Sequence, residues 1–138
     1  QSDSFVLSSF ARQIARIEAG KEEPVLRVGN LAARRDFSHV LDVVRAYEAV
    51  ALEGAGGEVY NVCSGVSVSI REALEALLGM AAVPIRVEQD AGRMRPVDVP
   101  ELWGTHAKLT ERTGWSPEIS FADLLGDLLE YWRRGERA

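Results

Sequence analysis

Short apolar runs alternate along this chain with stretches whose apolar residues recur every three to four positions, and glycines punctuate the changes. That switching of period restricts the fold more than any other feature. Continuous or alternating apolar segments suit a sheet, whereas a 3.6-residue period suits a helix face, so their alternation predicts an α/β domain. Val6, Phe10, Ile14 and Ile17 form one helical stripe, closed by Gly20. Pro24 to Val28 reads as a strand, followed by a Gly29-Asn30 turn.

Arg34 to Phe37 is short and extended. A second helix places Val40, Val44, Tyr47 and Ala51 on one face, with Val43 and Val50 beside them, and Gly54, Gly56 and Gly57 break it. Glu58 to Val62 has the composition of a strand covered on both faces. Ser69-Ile70-Arg71-Glu72 is a capping box, opening a helix with Ile70, Leu74, Leu77 and Leu78 inward and an end near Gly79. Pro84 to Glu88 is a further strand, and Asp90 to Trp103 keeps no period. A short helix from Thr105 to Thr113 stops at Gly114. Ser120 caps the last helix, where Phe121, Leu125, Leu128 and Trp132 share a face. The expected order is α-β-β-α-β-α-β-loop-α-α.

Composition bounds the function. The chain has 138 residues, one ordinary domain, and its 46% hydrophobic content supplies a core. A net charge of -5 argues against wholesale nucleic-acid binding. The single cysteine, Cys63, cannot form an internal disulfide, and it fits a reducing, cytoplasmic setting and a buried structural thiol. No apolar run approaches the roughly 20 residues of a membrane-spanning helix. The chain opens at Gln1-Ser2-Asp3 and enters a helix almost at once, as expected of a piece of a longer protein.

Catalytic patterns are missing. No G-x-G-x-x-G or G-x-x-G-x-x-G follows a strand, and neither a Walker loop nor a G-x-S-x-G elbow occurs. His39 and His106 stand far apart with no metal-ligand spacing around them. His39 is expected to be structural beside Asp36 and Asp42, and His106 to be an exposed helix residue. What remains conspicuous is arginine near glycine and extended backbone: Arg34-Arg35-Asp36-Phe37, and Arg93-x-Arg95-Pro96. Guanidinium groups grip phosphate in a fork that lysine cannot match. The same arginines would equally serve in surface pairs with Asp36 or Asp90.

The stretch from Val28 to Ala46 resembles the R-D-[FYW]-x-x-V-x-D segment of extended short-chain dehydrogenases that act on nucleotide sugars. G-E-V-Y-N-V-C-S-G (57–65), S-I-R-E (69–72), R-P-V-D-V-P (95–100) and T-G-W-S-P (113–117) follow in that family's order, and Gln1-Ser2 resembles the end of its G-P-G-Q segment. Within it, G-N-L-x-A-x-R-D and R-P-x-[DE]-V are most similar to the GDP-mannose branch, which holds the GDP-mannose 4,6-dehydratases and the reductases of their 4-keto-6-deoxy product. V-Y-N-V-C-S-G, and Ser8 and Ser9 where dehydratases often carry basic residues, lean towards a reductase.

The resemblance implies a C-terminal fragment of a Rossmann-type enzyme, comprising the substrate lobe plus the last sheet strand and helices. It implies that residues 1–138 bind a nucleotide sugar and that an N-terminal NAD(P)-binding catalytic portion is absent. Arg35 and Arg95 match arginines at the diphosphate, and Asp98 matches the acidic residue on the ribose hydroxyls. Val28 and Asn30 lie where the family lines the base pocket. In Gly104-Thr105-His106-Ala107-Lys108 the family's G-D-x-S-K is only partly kept, and no role passes to His106. The family's chemistry needs a Y-x-x-x-K pair, and Tyr47, Tyr60 and Tyr131 have Ala51, Ser64 and Gly135 four residues on. The expectation is a cytoplasmic, homo-oligomeric parent that uses NAD or NADP on a GDP-sugar, with neither cofactor, metal nor catalytic residue on this fragment. A UDP- or dTDP-sugar epimerase or dehydratase, or a non-catalytic binding or structural module, stands as the alternative. Self-association through an unpaired Glu58 to Val62 is also expected.

Overall fold

The computed structural model describes residues 5–93 and 99–137. Its elements are α1 (Val6–Glu18), β1 (Val25–Val28), β2 (Arg34–Asp36), α2 (Val40–Glu53), β3 (Ser67–Ser69), α3 (Ile70–Gly79), β4 (Arg86–Gln89), a 3-10 turn at Ala91–Arg93, β5 (Glu101–Leu102), α4 (Ala107–Thr113) and α5 (Phe121–Arg137). They fall into two units. The first runs to Ala33 and resumes over Ser69–Pro100 and from Leu125 onward; the second holds Arg34–Val68 and Glu101–Leu124.

In the first unit the predicted stripe of α1 is buried at Phe10, Ile14 and Ile17, with Leu7, Ala11 and Ala15 filling the flanks. Gly20 follows with φ +68°, a conformation a Cβ disfavours. β1 turns Leu26 and Val28 inward and Arg27 outward. β4 runs parallel to it, Val25 opposite Arg86 and Val28 opposite Gln89. A parallel pair needs a crossover, and α3 lies between the two strands in sequence. The capping box forms as read: Ser69 Oγ accepts from the Glu72 N–H at 3.0 Å, and the Glu72 carboxylate accepts from the Ser69 N–H at 2.7 Å. Ile70, Ala73, Leu74 and Leu77 then point inward.

α5 is fastened by polar contacts. Arg133 reaches Glu18 at 2.7 Å, Glu130 at 2.7 Å and the Met80 carbonyl at 3.0 Å. Trp132 donates to Ser8 Oγ at 3.1 Å, which gives this fully buried hydroxyl its partner.

The second unit centres on Ala46, Leu109 and Trp115, with Ala49, Val50, Tyr60 and Val62 packed around them. Two expectations fail here. The face of α2 expected inward is outward instead: Val40, Val44 and Tyr47 are 61%, 55% and 67% exposed. The buried face carries Asp42, whose carboxylate accepts from the Glu118 and Ile119 N–H groups, and Ala46, which packs with Leu109 and Trp115. Glu58 to Val62 also forms no strand; Val59 is 78% exposed. A strand exists by pairing, and no described edge pairs with it. The Glu58 carboxylate and the Val59 carbonyl accept from Lys108 instead, at 2.6 and 2.9 Å.

The sheet of this region has the order β3-β2-β5, with Arg34 opposite Glu101 and Arg35 opposite Leu102 in a parallel pair. β3 and β5 were invisible to periodicity, being three and two residues long. Gly114, with φ +70°, ends α4 as read.

Candidate functional site

β2 sorts three adjacent charges by where each can find a partner. Arg34 donates to the Ser67 hydroxyl at 3.2 Å and carbonyl at 2.6 Å, and lies 3.4 Å from the Glu101 carboxylate. Asp36 is consumed by the loop of the V-Y-N-V-C-S-G segment. One of its oxygens accepts from the Ser64 N–H at 2.8 Å and hydroxyl at 2.7 Å, and the other from the Gly65 N–H at 2.8 Å. Gly65 itself sits at φ +78°.

Arg35, between them, is left over. Its one described bond runs to the Arg34 carbonyl at 2.6 Å, and it pairs with no carboxylate among the described residues. The surface pair with Asp36 is not formed among the described residues, and that carboxylate accepts from Ser64 and Gly65 instead.

The rest of the R-D-F-x-x-V-x-D segment is structural. Asp42 is buried, and its carboxylate takes the Arg45 guanidinium, the Glu118 N–H at 3.2 Å and the Ile119 N–H at 3.1 Å. Its carbonyl accepts from Trp115 Nε1 at 3.1 Å. Phe37 stacks on Phe121 with ring centroids 5.7 Å apart. His39 caps α2, Nδ1 accepting from the Leu41 N–H at 3.2 Å, the structural role expected of it. His106 is not the exposed residue expected: half-buried, it bonds Thr110 Oγ1 at 2.8 Å and meets the Trp115 ring edge-on. Cys63 is half-buried beside Gly104, and burial first, then the Asp36 charge, pushes its thiol above the ordinary range. Such a thiol is a poor nucleophile.

Two further candidates lie in the first unit, at the end of β1. Val28 is 1% exposed and its carbonyl accepts from the Asp90 N–H at 2.9 Å, so neither its side chain nor that oxygen is open to a ligand. Asn30 closes a small turn, Oδ1 accepting from the Ala32 N–H at 2.9 Å. Between them Gly29 is pressed against the 3-10 turn: a Cβ there would stand 2.2 Å from the Arg93 carbonyl oxygen. Arg95 and Asp98 lie outside the described residues.

Beside β1 opens a cleft of about 560 Å³ whose wall includes Ser9, Arg12, Gln13, Arg16, Arg27 and Arg93. Gln13 braces it, accepting from the Arg27 N–H at 3.0 Å and donating to the Arg27 and Ser9 carbonyls, each at 3.3 Å. The alternation of β1 signals that Arg27 faces out, but not that α1 brings Gln13 against it; sequence reasoning missed both. Among the described residues no group of three or more His, Cys, Asp or Glu is placed to hold a metal ion, and no helix is long and apolar enough to cross a membrane.

Comparison with known proteins gives these features a context. The family described as GDP-mannose 4,6 dehydratase matches residues 1–128. A GDP-6-deoxy-D-mannose reductase from Pseudomonas aeruginosa is 44% identical over 132 residues, covering 96% of this chain and 43% of that protein. A GDP-mannose 4,6 dehydratase from Drosophila melanogaster is 26% identical over 94% of this chain and 37% of its own length. Among solved structures, RMD from Pseudomonas aeruginosa complexed with NADPH superposes with a TM-score of 0.91 and 42% identity, over 98% of this chain and 44% of that one. UDP-glucose 4-epimerase from Bifidobacterium longum, in complex with NAD+ and UDP, shares the fold at 23% identity and a TM-score of 0.72. The chain thus spans less than half the length of the relatives it matches.

Proposed function

Because this chain belongs to the GDP-mannose 4,6 dehydratase family, we propose that it is the nucleotide-sugar-binding part of an NAD(P)-dependent enzyme acting on a GDP-hexose. Reduction of a GDP-4-keto-6-deoxy-mannose is favoured over 4,6-dehydration, in keeping with the 44% identity to a GDP-6-deoxy-D-mannose reductase. The observation that carries the proposal is the state of Arg35. Its neighbours Arg34 and Asp36 are tied to Ser67, Ser64 and Gly65, whereas Arg35 makes one side-chain bond, to the Arg34 carbonyl, among the described residues. A planar fork on a strand suits a diphosphate, whose oxygens accept charge-assisted bonds in pairs. In this proposal Arg95 and Asp98 take the diphosphate and ribose and Asn30 borders the base, while the buried Val28 supports that border from behind.

The described residues do not fit a dinucleotide. β1 leads through Gly29-Asn30 into extended chain rather than a helix, β3 passes into α3 with no glycine between them, and the single Gly104 between β5 and α4 is not the G-x-G-x-x-G or G-x-x-G-x-x-G turn that cradles a dinucleotide pyrophosphate. Cofactor and proton transfer are accordingly assigned to the portion of the relatives that this chain does not span. Homo-oligomerisation and a cytoplasmic location belong to the same proposal.

The test is calorimetric titration of the full-length polypeptide carrying this sequence with GDP, UDP and dTDP, alongside Arg35→Ala. GDP binding that weakens on substitution supports the proposal. Preference for UDP or dTDP would move the protein to the epimerase-like alternative, and absence of binding to all three would leave a structural module. A purified 138-residue chain is expected to oxidise no NADPH in the presence of a GDP-4-keto-hexose; turnover would place chemistry where none is assigned.

A further inference from the structure

We infer that Arg93 is the residue that reads the base, an arginine fork on the guanine edge, and that it sets preference for guanosine over uridine diphosphates. The inference rests on the GDP-sugar proposal and adds to it the residue that discriminates.

The placement comes from three contacts. The Arg93 backbone is held against the end of β1, its N–H bonding the Asp90 carbonyl at 3.0 Å while the Asp90 N–H bonds the Val28 carbonyl at 2.9 Å. Gly29 permits that approach, because any Cβ there would collide with the Arg93 carbonyl. From this anchor the side chain enters the cleft beside β1. Its Nε lies 3.3 Å from the Asp90 carboxylate and one terminal nitrogen 3.3 Å from Ser9 Oγ. The other terminal nitrogen has no partner among the described residues.

Held at Nε and at one terminal nitrogen, the guanidinium is fixed in orientation and keeps three of its four terminal N–H donors without a partner among the described residues, pre-organised for a planar acceptor pair. Guanine presents O6 and N7 as two adjacent acceptors, which an arginine engages bidentately. Uracil offers a single carbonyl, O4, beside a C5–H at the corresponding edge, so the second guanidinium donor would find no acceptor. A cleft of about 560 Å³ lies within the roughly 300–1,000 Å³ range of small-ligand sites. Arg16 at its wall is already paired with Glu22, so the cleft is no simple anion trap.

The experiment measures GDP and UDP affinities of the full-length protein, unaltered and as Arg93→Lys and Arg93→Ala. Lysine keeps the charge but lacks the fork. The expected result is GDP affinity lower by about tenfold or more in both variants, the size of one bidentate arginine–guanine pair, with UDP affinity and thermal midpoint unchanged. A lysine variant that keeps the preference overturns the inference, as does a parallel loss for both nucleotides, which would make Arg93 a phosphate contact. If the unaltered protein itself shows no GDP preference, the GDP-sugar proposal falls first and this inference with it.

Discussion

Removing the Asp42 carboxylate should cost the second unit a large share of its stability. The group is 1% exposed and satisfies the Glu118 and Ile119 N–H groups at 3.2 and 3.1 Å, as well as the Arg45 guanidinium. Bonds to a charged acceptor contribute about 1.5–3 kcal/mol each, and a stranded buried donor costs about 1–3 kcal/mol. Arg45 is only half-buried and keeps a second partner in Glu118, so its loss is small. Asp42→Ala therefore deprives two backbone donors, and a loss of about 3–4 kcal/mol is expected, within the range for breaking a buried charged contact. Asp42→Asn is the sharper test. Its carbonyl can still accept from Glu118 and Arg45, but its amide then faces the Ile119 N–H, donor against donor, and about 1–2 kcal/mol should go. Equilibrium urea unfolding followed by tryptophan fluorescence reads both, since Trp115 donates to the Asp42 carbonyl. If Asn proves as costly as Ala, or Ala costs under about 1 kcal/mol, the two N–H groups do not depend on this carboxylate.

Arg35→Ala should weaken GDP binding by about 10- to 100-fold, the worth of charge-assisted bonds to a phosphate, with Arg35→Lys in between; titration calorimetry measures it, and an unchanged Kd would show that the guanidinium touches no ligand. Gly29→Ala should destabilise the protein by about 1–3 kcal/mol, as overpacking does, and should displace the 3-10 turn at Ala91–Arg93, both checked by thermal unfolding and amide exchange at Arg93. Glu18 is held below the ordinary glutamate range, first by its hydrogen bond to Arg133. Its pKa is lower folded than unfolded, so its stabilising share is full above the unfolded value of about 4.3 and fades as pH falls through the folded one. Glu18→Gln should therefore flatten the acid limb of stability against pH while lowering the neutral plateau. Finally, the exposed Val40, Val44 and Tyr47 face should promote self-association at high concentration, and sedimentation of Val44→Lys should show less of it.

Local rules carried much of this protein. The α1 stripe, the Gly20 and Gly114 stops and the Ser69–Glu72 box follow from periodicity, backbone conformation and short-range hydrogen bonding, which operate within a few residues. The ordered motifs likewise sufficed to place the chain in its family. Other features depend on which distant groups meet. α2 hides Asp42 and Ala46 rather than its valines because the Glu118 and Ile119 N–H groups, far along the chain, need an acceptor and Trp115 needs room, and no apolar count along the helix records that. Glu58 to Val62 has a strand's composition, but a ladder requires a second edge. The division within R-R-D was also illegible. Adjacent charges look alike in a sequence, and only the fold shows that Ser67 engages Arg34, that Ser64 and Gly65 engage Asp36, and that Arg35 pairs with no carboxylate among the described residues, because a hydrogen-bond partner is a matter of position in space.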